Sequence, residues 1–331
     1  MTEFGSPVRR RLLLGGALAA PMIASGIARA QDNWPNRPVR YINPFPAGGA
    51  TDTLSRLYCA KMTELTGQQF IVENRGGSGG DVGVDVVAKS APDGYTIGLG
   101  GIASHAISPT LKKGQLPFDP EKDFTFVTHL WWLPNMLVAN LDLPAKTVPE
   151  LIELTKKNPG KYSYASAGNG TTLHLSGELF KQLAGVNMLH VPYRGAAPAM
   201  IDLLAGQVHM IFDNIPGSLA QFRPGKVRGF AVTSKERSQV VPDIPALSEF
   251  LPGFDIKSWT CLCGPAKLPP AIVERMSSLS KKALEGADLI KSYLEQGATA
   301  WWSSQAEVTA YRASEEKRLA EIIIKAGAKV D

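Results

Sequence analysis

Three groups of residues in this 331-residue chain could do chemistry. The first is a literal G-x-S-x-G, Gly76-Gly77-Ser78-Gly79-Gly80, set between an apolar run and a helical period. That is the arrangement of a nucleophile elbow, which lifts a serine out to attack a carbonyl. An elbow works because its turn is strained and rigid, whereas four glycines in five residues give little rigidity. No HGGG-type oxyanion segment accompanies it, and His105, His129, His174, His190 and His209 are scattered outside any triad context. An exported serine hydrolase using Ser78 is therefore the weaker reading, and no catalytic residue is assigned. The dinucleotide fingerprint also fails: Gly77 and Gly79 fit, but its third position is Val82. A Walker A lysine, H-E-x-x-H and C-x-x-C are all missing from the sequence. No cofactor and no metal are expected.

The second group comprises small-residue loops that precede helical periods. The start of a helix presents unpaired backbone N–H groups and a positive dipole end, which suits an anion. Gly48-Gly49-Ala50-Thr51 lets backbone approach a ligand closely, and Thr51 adds a hydroxyl. Ser166-Ala167-Gly168-Asn169-Gly170-Thr171-Thr172 repeats the device in the second half. One such loop from each half could grip a carboxylate between them; Thr51 and Thr171 could equally be simple N-caps. Asp52, in a first helical turn, is favourable there without any ligand, and would brace the loop or meet an amino or hydroxyl group. Asp213, at the end of an apolar strand, could orient loops or accept a proton donor from a ligand. Arg75 and Arg194 follow strands and could serve as carboxylate forks or as surface residues.

Cysteines form the third group. Cys59, Cys261 and Cys263 are too few for a disulfide scaffold. On a strand, Cys261 and Cys263 point to one face. Without a histidine cluster they read as small core residues rather than a metal or redox pair.

What positions these loops is a recurring order: short apolar run, small-residue loop, helical period. Val39–Ile42, Phe70–Val72, Tyr95–Leu99, Lys161–Ala165, His190–Tyr193, Val208–Phe212 and Gly229–Val232 read as strands. Three lead into the loops Phe45–Asp52, Gly100–Ser104 and Ser166–Thr172. Alternating strands and helices predict α/β architecture with parallel sheets covered on both faces, and ligands of such sheets bind beyond the carboxyl ends of the strands. Two long β-favouring stretches, Phe124–Val138 and Ile256–Cys263, suggest a chain that crosses between lobes twice, followed by a mainly helical tail.

The N-terminus carries Arg9-Arg10-Arg11, an apolar run from Leu12 to Ile27, then Ala28-Arg29-Ala30. A basic start, a short apolar middle and an A-x-A site make an export signal. The paired arginines admit a twin-arginine route as well as general secretion. Glycines and Pro21 break the run, which is too short to span a membrane. Of 35 basic and 30 acidic residues, the first thirty positions hold four arginines and one glutamate, leaving 31 against 29, a net of +2. That small charge does not supply the concentrated basic face that nucleic acid needs. About 300 remaining residues, in a chain 44% hydrophobic, can bury a large core and usually divide into two domains.

An ordered series of short motifs runs through the whole of that portion. It begins Trp34-Pro35-x-x-Pro38-Val39, Pro44-Phe45-Pro46-Ala47-Gly48-Gly49-Ala50-Thr51-Asp52, Val72-Glu73-Asn74-Arg75 and Ala91-Pro92-Asp93-Gly94-Tyr95. Ser166-x-Gly168-Asn169-Gly170, His174-Leu175-x-Gly177-Glu178-Leu179-Phe180, Val191-Pro192-Tyr193-Arg194-Gly195 and Phe212-Asp213-Asn214 continue it. Ala231-Val232-Thr233-Ser234, Arg237-Ser238 and Pro242-Asp243-Ile244-Pro245 complete it. The series closely resembles the Bug-type extracytoplasmic solute receptors of tripartite tricarboxylate transporters.

The resemblance implies a periplasmic-binding-protein fold of type II, with two doubly wound α/β lobes joined by two hinge strands and closing on one ligand. With the export signal at 1–30, lobe 1 would comprise 31–133 and 259–331, and lobe 2 would comprise 134–258. It implies a small carboxylate ligand (an amino acid, a di- or tricarboxylate or an aromatic acid) and a two-component membrane permease as partner. A sensor's extracytoplasmic domain is the alternative partner. A periplasmic monomer, cleaved near Ala30, with no nucleic-acid partner, follows. The ligand-binding residues implied are Phe45, Gly48, Gly49, Ala50, Thr51 and Asp52 of the first loop, Ser104, then Ser166, Gly168, Asn169, Gly170, Thr171 and His174, with Arg194 and Asp213.

Two departures stand out. Trp259-Thr260-Cys261-Leu262-Cys263-Gly264-Pro265 replaces a more hydrophobic family segment, and Ala47 stands where proline is common. The pair Trp131-Trp132 is unusual too, and an indole there would either line the cleft and favour an aromatic acid or pack in the core.

Overall fold

The computed structural model describes Trp34–Ala328; the export signal expected over residues 1–30 lies outside the described residues. From Pro35 onward, ten strands form one hydrogen-bonded network organised as two sheets around a shared strand. The first sheet begins with three parallel strands, β1 (Val39–Asn43), β2 (Phe70–Asn74) and β3 (Thr96–Gly101), in the order β2-β1-β3. The long strand β4 (Phe124–Ala139) crosses from this sheet into the second. The second sheet has parallel β5 (Ser163–Ser166), β6 (Leu189–Pro192) and β7 (Met210–Asn214), with β8 (Arg228–Val232) on the far side of β4. Strand β9 (Lys257–Pro265) returns between β3 and β4, antiparallel to both, and the two-residue β10 (Thr299–Ala300) closes the edge beside β4.

The orders β2-β1-β3-β9-β4 and β6-β5-β7-β4-β8 are the same pattern used twice. In each order the fourth strand is the one that crosses in from the other half, antiparallel to its neighbours, which explains why the sheets are mixed rather than wholly parallel. The sequence marked both returning strands because they are buried on two faces and therefore read as unbroken β-branched and aromatic runs. In β4 all but two residues are buried.

Helices follow the strands. α1 (Ala50–Thr66), α2 (Asp81–Ala88) and the short α3 (Ser108–Leu111) belong to the first half. α4 (Val148–Lys157), α5 (Thr172–Ala184), α6 (Ala196–Leu204) and α7 (Ile215–Phe222) belong to the second. The tail supplies α8 (Pro270–Leu284), α9 (Ala287–Glu295) and α10 (Gln305–Ala326). Buried hydrogen bonds tie it to the first half: Tyr58 Oη to Ser280 Oγ at 2.7 Å, and Tyr293 Oη to the Leu54 carbonyl at 3.2 Å. A capping box, Ser304 with Glu307, starts α10. Its Arg312 reaches the carbonyl of His105, in a π-turn (Ala103–Ile107) that the periodicity did not show.

Cys261 and Cys263 are free and fully buried on β9, with burial pushing both thiols up. Trp131 packs edge-on against Tyr293 in the core, and Trp132 lies under the Lys257 ammonium. The indole that reaches the cleft is instead Trp259, the cross-strand neighbour of Trp132.

Candidate functional site

Where the carboxyl ends of the strands of both sheets face each other lies a cleft of about 760 Å³, counting its open mouth. Four helix starts reach it. Ala50 and Thr51 open α1, Thr172 opens α5, Ala196 and Ala197 open α6, and Asn214 precedes α7. A helix start is normally satisfied by a side-chain cap. Thr171 does this for α5, accepting from the backbone N–H of His174. The N-caps of α1, α6 and α7 (Gly49, Gly195 and Asn214) make no side-chain cap bond. Three uncapped positive dipole ends therefore meet one cavity, which no charged side chain lines. The hydroxyls of Thr51, Ser104, Thr172, Ser258 and Thr260 add neutral polarity, and Phe45, Leu99, Ile102, Leu173 and Trp259 supply an apolar wall.

Of the residues that the sequence singles out, Phe45, Gly49, Ala50, Thr51, Ser104 and Thr171 line this cleft. Others stand behind it. Asp52 faces away from the cavity and braces its loop: its carboxylate accepts from the Gly48 backbone N–H and from Asn74 Nδ2, both at 3.0 Å, and pairs with Arg56 at 2.9 Å. Burial pushes this carboxyl up, but the hydrogen bonds from Arg56, Gly48 and Asn74 together hold it below its ordinary value. Gly48 thereby serves the loop through its N–H rather than lining the cavity.

Ser166 points behind β5, bonding His190 Nε2 at 2.7 Å and accepting from the Gly168 N–H. His174, expected to face the cleft, is buried on its rear side. Its Nδ1 accepts from the Gly170 N–H at 3.3 Å, and its ring stacks on His190 with centroids 4.3 Å apart. It borders a separate recess with Glu178 and Lys181. Burial, then the neighbouring His190, lowers it to about 3, so the ring is neutral. Asp213 is also turned inward, away from the cleft, with burial raising it to about 7. Successive strand residues face opposite ways, so its neighbour Asn214 takes the cleft position instead.

Gly168, Asn169 and Arg194 border a second recess, which shares Phe45, Pro46 and Ala167 with the cleft wall. Gly170 seats over Ser108 and Leu111 of the first half. Arg194 is exposed at the mouth, and Arg75, also exposed, pairs with Glu73 at 3.4 Å. Here the loop Gly76–Gly80 meets the loop Gly168–Gly170. Gly79 packs so tightly on the Asn169 carbonyl that an added Cβ would overlap it. Ser78 Oγ accepts from the Lys112 ammonium at 3.1 Å, and that ammonium is paired with the buried Asp81 at 2.7 Å. An ammonium has no lone pair with which to take a serine proton, so this pair activates no nucleophile.

Thr172, the last residue of the loop Ser166–Thr172, also lines the cleft, whereas Asn214, Ser258, Trp259 and Thr260 are polar or aromatic cleft residues to which the sequence reading gave no binding role. Parity along β7 was the available signal for Asn214. Nothing local marked Ser258, Trp259 and Thr260, because they reach the site on the second crossing.

Two sheets of this order sharing crossing strands, around a cleft lined by helix starts, define a solute-binding protein of the periplasmic type II class, with two α/β lobes. Residues 54–328 match the sequence profile described as tripartite tricarboxylate transporter family receptor, and the chain belongs to that family. Protein BugT of Bordetella pertussis (strain Tohama I) is 31% identical over 96% of this chain and 97% of its own. Rpa4515 of R. palustris, solved with adipate, is 33% identical, with a TM-score of 0.87 over 89% of this chain and 99% of that one. MatC of Rhodopseudomonas palustris, solved with bound malate, is 32% identical, with a TM-score of 0.82 over 88% and 100%. This bears out the resemblance and the fold read from the sequence. The chain is a binding receptor and not an enzyme. Among the described residues, no helix is long and apolar enough to cross a membrane, and no cluster of three metal-ligating side chains occurs.

Proposed function

We propose that this protein captures a small carboxylate-bearing solute outside the cytoplasmic membrane and delivers it, unchanged, to a two-component permease. The observation that carries this reading is the meeting of three uncapped helix starts at a cleft without a charged side chain. Backbone N–H groups and hydroxyls there can take a carboxylate out of water, replacing its hydration with fixed donors. The adipate and malate held by two structural relatives support the ligand class.

Lobe 1 comprises 31–133 with 259–331 and lobe 2 comprises 134–258; they close on the solute about the crossings near Pro134 and Ser258. Thr51, Ser104 and the first turn of α1 hold it from lobe 1, and Thr172, Asn214 and the start of α6 from lobe 2. The protein acts as an exported monomer, with residues 1–30 as a signal removed near Ala30. Closure presents both lobes together to the permease, so an unloaded receptor is not mistaken for a loaded one.

The experiment is titration calorimetry and thermal shift against amino acids, di- and tricarboxylates and aromatic acids, on protein unfolded, dialysed and refolded to remove carried-over ligand. A ligand at a hundred times its Kd adds about 2.7 kcal/mol, a shift of several degrees. Saturable one-to-one binding of one class of acid, weakened by about 1–3 kcal/mol in Thr51→Ala, is the expected result. Indifference to every acid would overturn the reading.

A further inference from the structure

At the floor of the cleft, Asn214 is held by a buried hydrogen-bond network spanning both crossings. Its amide nitrogen donates to Asn135 Oδ1 and to Ser258 Oγ, the latter at 3.0 Å. An asparagine amide has two N–H donors and one carbonyl acceptor, so both donors are committed to the protein. Asn135 is fully buried, and its own Nδ2 donates to Ser176 Oγ at 3.2 Å. Thr172 Oγ1 and Ser258 Oγ share one hydrogen bond at 2.6 Å, and the hydroxyl whose proton is not used there can donate to Asn135 Oδ1, 3.4 Å from each. Asn135 Oδ1 faces Asn214 and takes its amide nitrogen, which sets the way round that the Asn214 amide sits. What Asn214 has left is Oδ1, which accepts no hydrogen bond from the described residues. Asn214 lines the cleft and is only partly buried, so that oxygen is left for a ligand.

We propose that Asn214 Oδ1 is a specificity-determining acceptor, and that Asn135 is the residue that positions it. The deduction rests on the carboxylate reading above and narrows it. A carboxylate oxygen placed against Oδ1 would set lone pairs against lone pairs. A hydroxyl or ammonium donates to it. The solute that this cleft selects therefore carries, beside the carboxylate held by the helix starts, a hydrogen-bond donor directed at the floor. Hydroxy acids and amino acids have this chemistry, and unsubstituted acids of the same length lack it. A site that keeps a desolvated acceptor for one group rejects the analogue without it, because the acceptor is then stranded.

The test is calorimetry of the whole ligand-free protein with pairs differing only in the donor: succinate and malate, glutarate and 2-hydroxyglutarate, propionate with lactate and alanine, 3-phenylpropionate and 3-phenyllactate. The readout is the ratio of affinities within a pair, because a merely structural defect weakens both members alike. The donor-bearing member of the best-bound pair should bind at least about tenfold more tightly. Asn214→Ala should bring the two within about threefold, and Asn135→Ala should do the same by freeing the amide to turn. Equal or tighter binding of the unsubstituted acids, or an unchanged ratio in Asn214→Ala, would overturn the assignment and leave the carboxylate reading standing. Binding of neither member of any pair removes both.

Discussion

Replacing Gly79 by alanine tests whether contact between the loops Gly76–Gly80 and Gly168–Gly170 belongs to the ligand-holding state. The new Cβ would sit an ångström or more inside the separation of about 3.3–3.6 Å at which carbon and a carbonyl oxygen come to rest, and the obstruction is the backbone of Asn169 rather than a side chain that can swing away. The loops must then stand about 1 Å further apart, and solute hydrogen-bonded from both lobes loses the equivalent of one bond of about 1–3 kcal/mol. Affinity should fall roughly 10- to 100-fold. Gly79 also has φ +69°, so alanine there is strained whether or not solute is bound, at about 1–2 kcal/mol. Gly114 separates the two effects: its φ is +78°, and nothing lies within 4 Å of where its Cβ would be. Gly114→Ala should lower the melting temperature much as Gly79→Ala does while leaving affinity unchanged. Calorimetry with the tightest acid, and scattering for the radius of gyration with and without it, would show both effects. An affinity for Gly79→Ala within about twofold of the parent would refute the argument that this contact forms on binding.

Acid should destabilise the protein through its buried histidines. Burial lowers His105 to about 3, His129 to about 4 and His174 to about 3. The unfolded chain takes up these protons near its ordinary value of about 6.5, so stability is full above that pH and is lost as pH falls from there towards 3. Asp213 runs the other way: burial raises it to about 7, so the folded protein takes up that proton first and gains stability as pH falls through 7 towards about 4. Asp213→Asn removes this opposing contribution, and its melting temperature should fall more steeply between pH 7 and 5 than the parent's. Parallel pH curves would refute the assignment. Lys112 and Asp81 form a buried pair, with side-chain exposures of 7% and 4%. Lys112→Met should cost about 3–5 kcal/mol in urea unfolding, and adding Asp81→Asn should recover part of it by removing the stranded charge.

The sequence showed most clearly what is set locally or by period. Strand Val39–Asn43 and helix Ala50–Thr66 were legible because apolar positions repeat at the spacing that their burial requires. The crossings were legible because burial on both faces leaves no alternation. Strand Thr299–Ala300 was not: it exists only because the backbone of Trp131 and Trp132 offers it partners. Within the site, the loops were found and their parity was not. Ser166 and Asp213 drew attention as polar residues at strand ends, yet both turn inward, and Ala167 and Asn214, one residue along, face the cavity. A one-residue offset exchanges the faces of a strand, and nothing in a polar residue's identity says which face it occupies. His174 was expected at the cleft by analogy, but its place on α5 turns the ring to the rear, where it steadies Gly170 through one hydrogen bond.

The position of β9 has a consequence for how the chain comes to be folded at all. It lies in the middle of the first sheet, between β3 and β4, although it is made far later than either: Cys263 bonds to a carbonyl 165 residues before it. Until Lys257–Pro265 arrives, β3 has no neighbour on that side, and the first half of the chain cannot finish its own sheet. Contacts this distant in sequence make folding slow, since a long loop must close before they return anything. A nascent chain therefore stays incomplete through most of its synthesis.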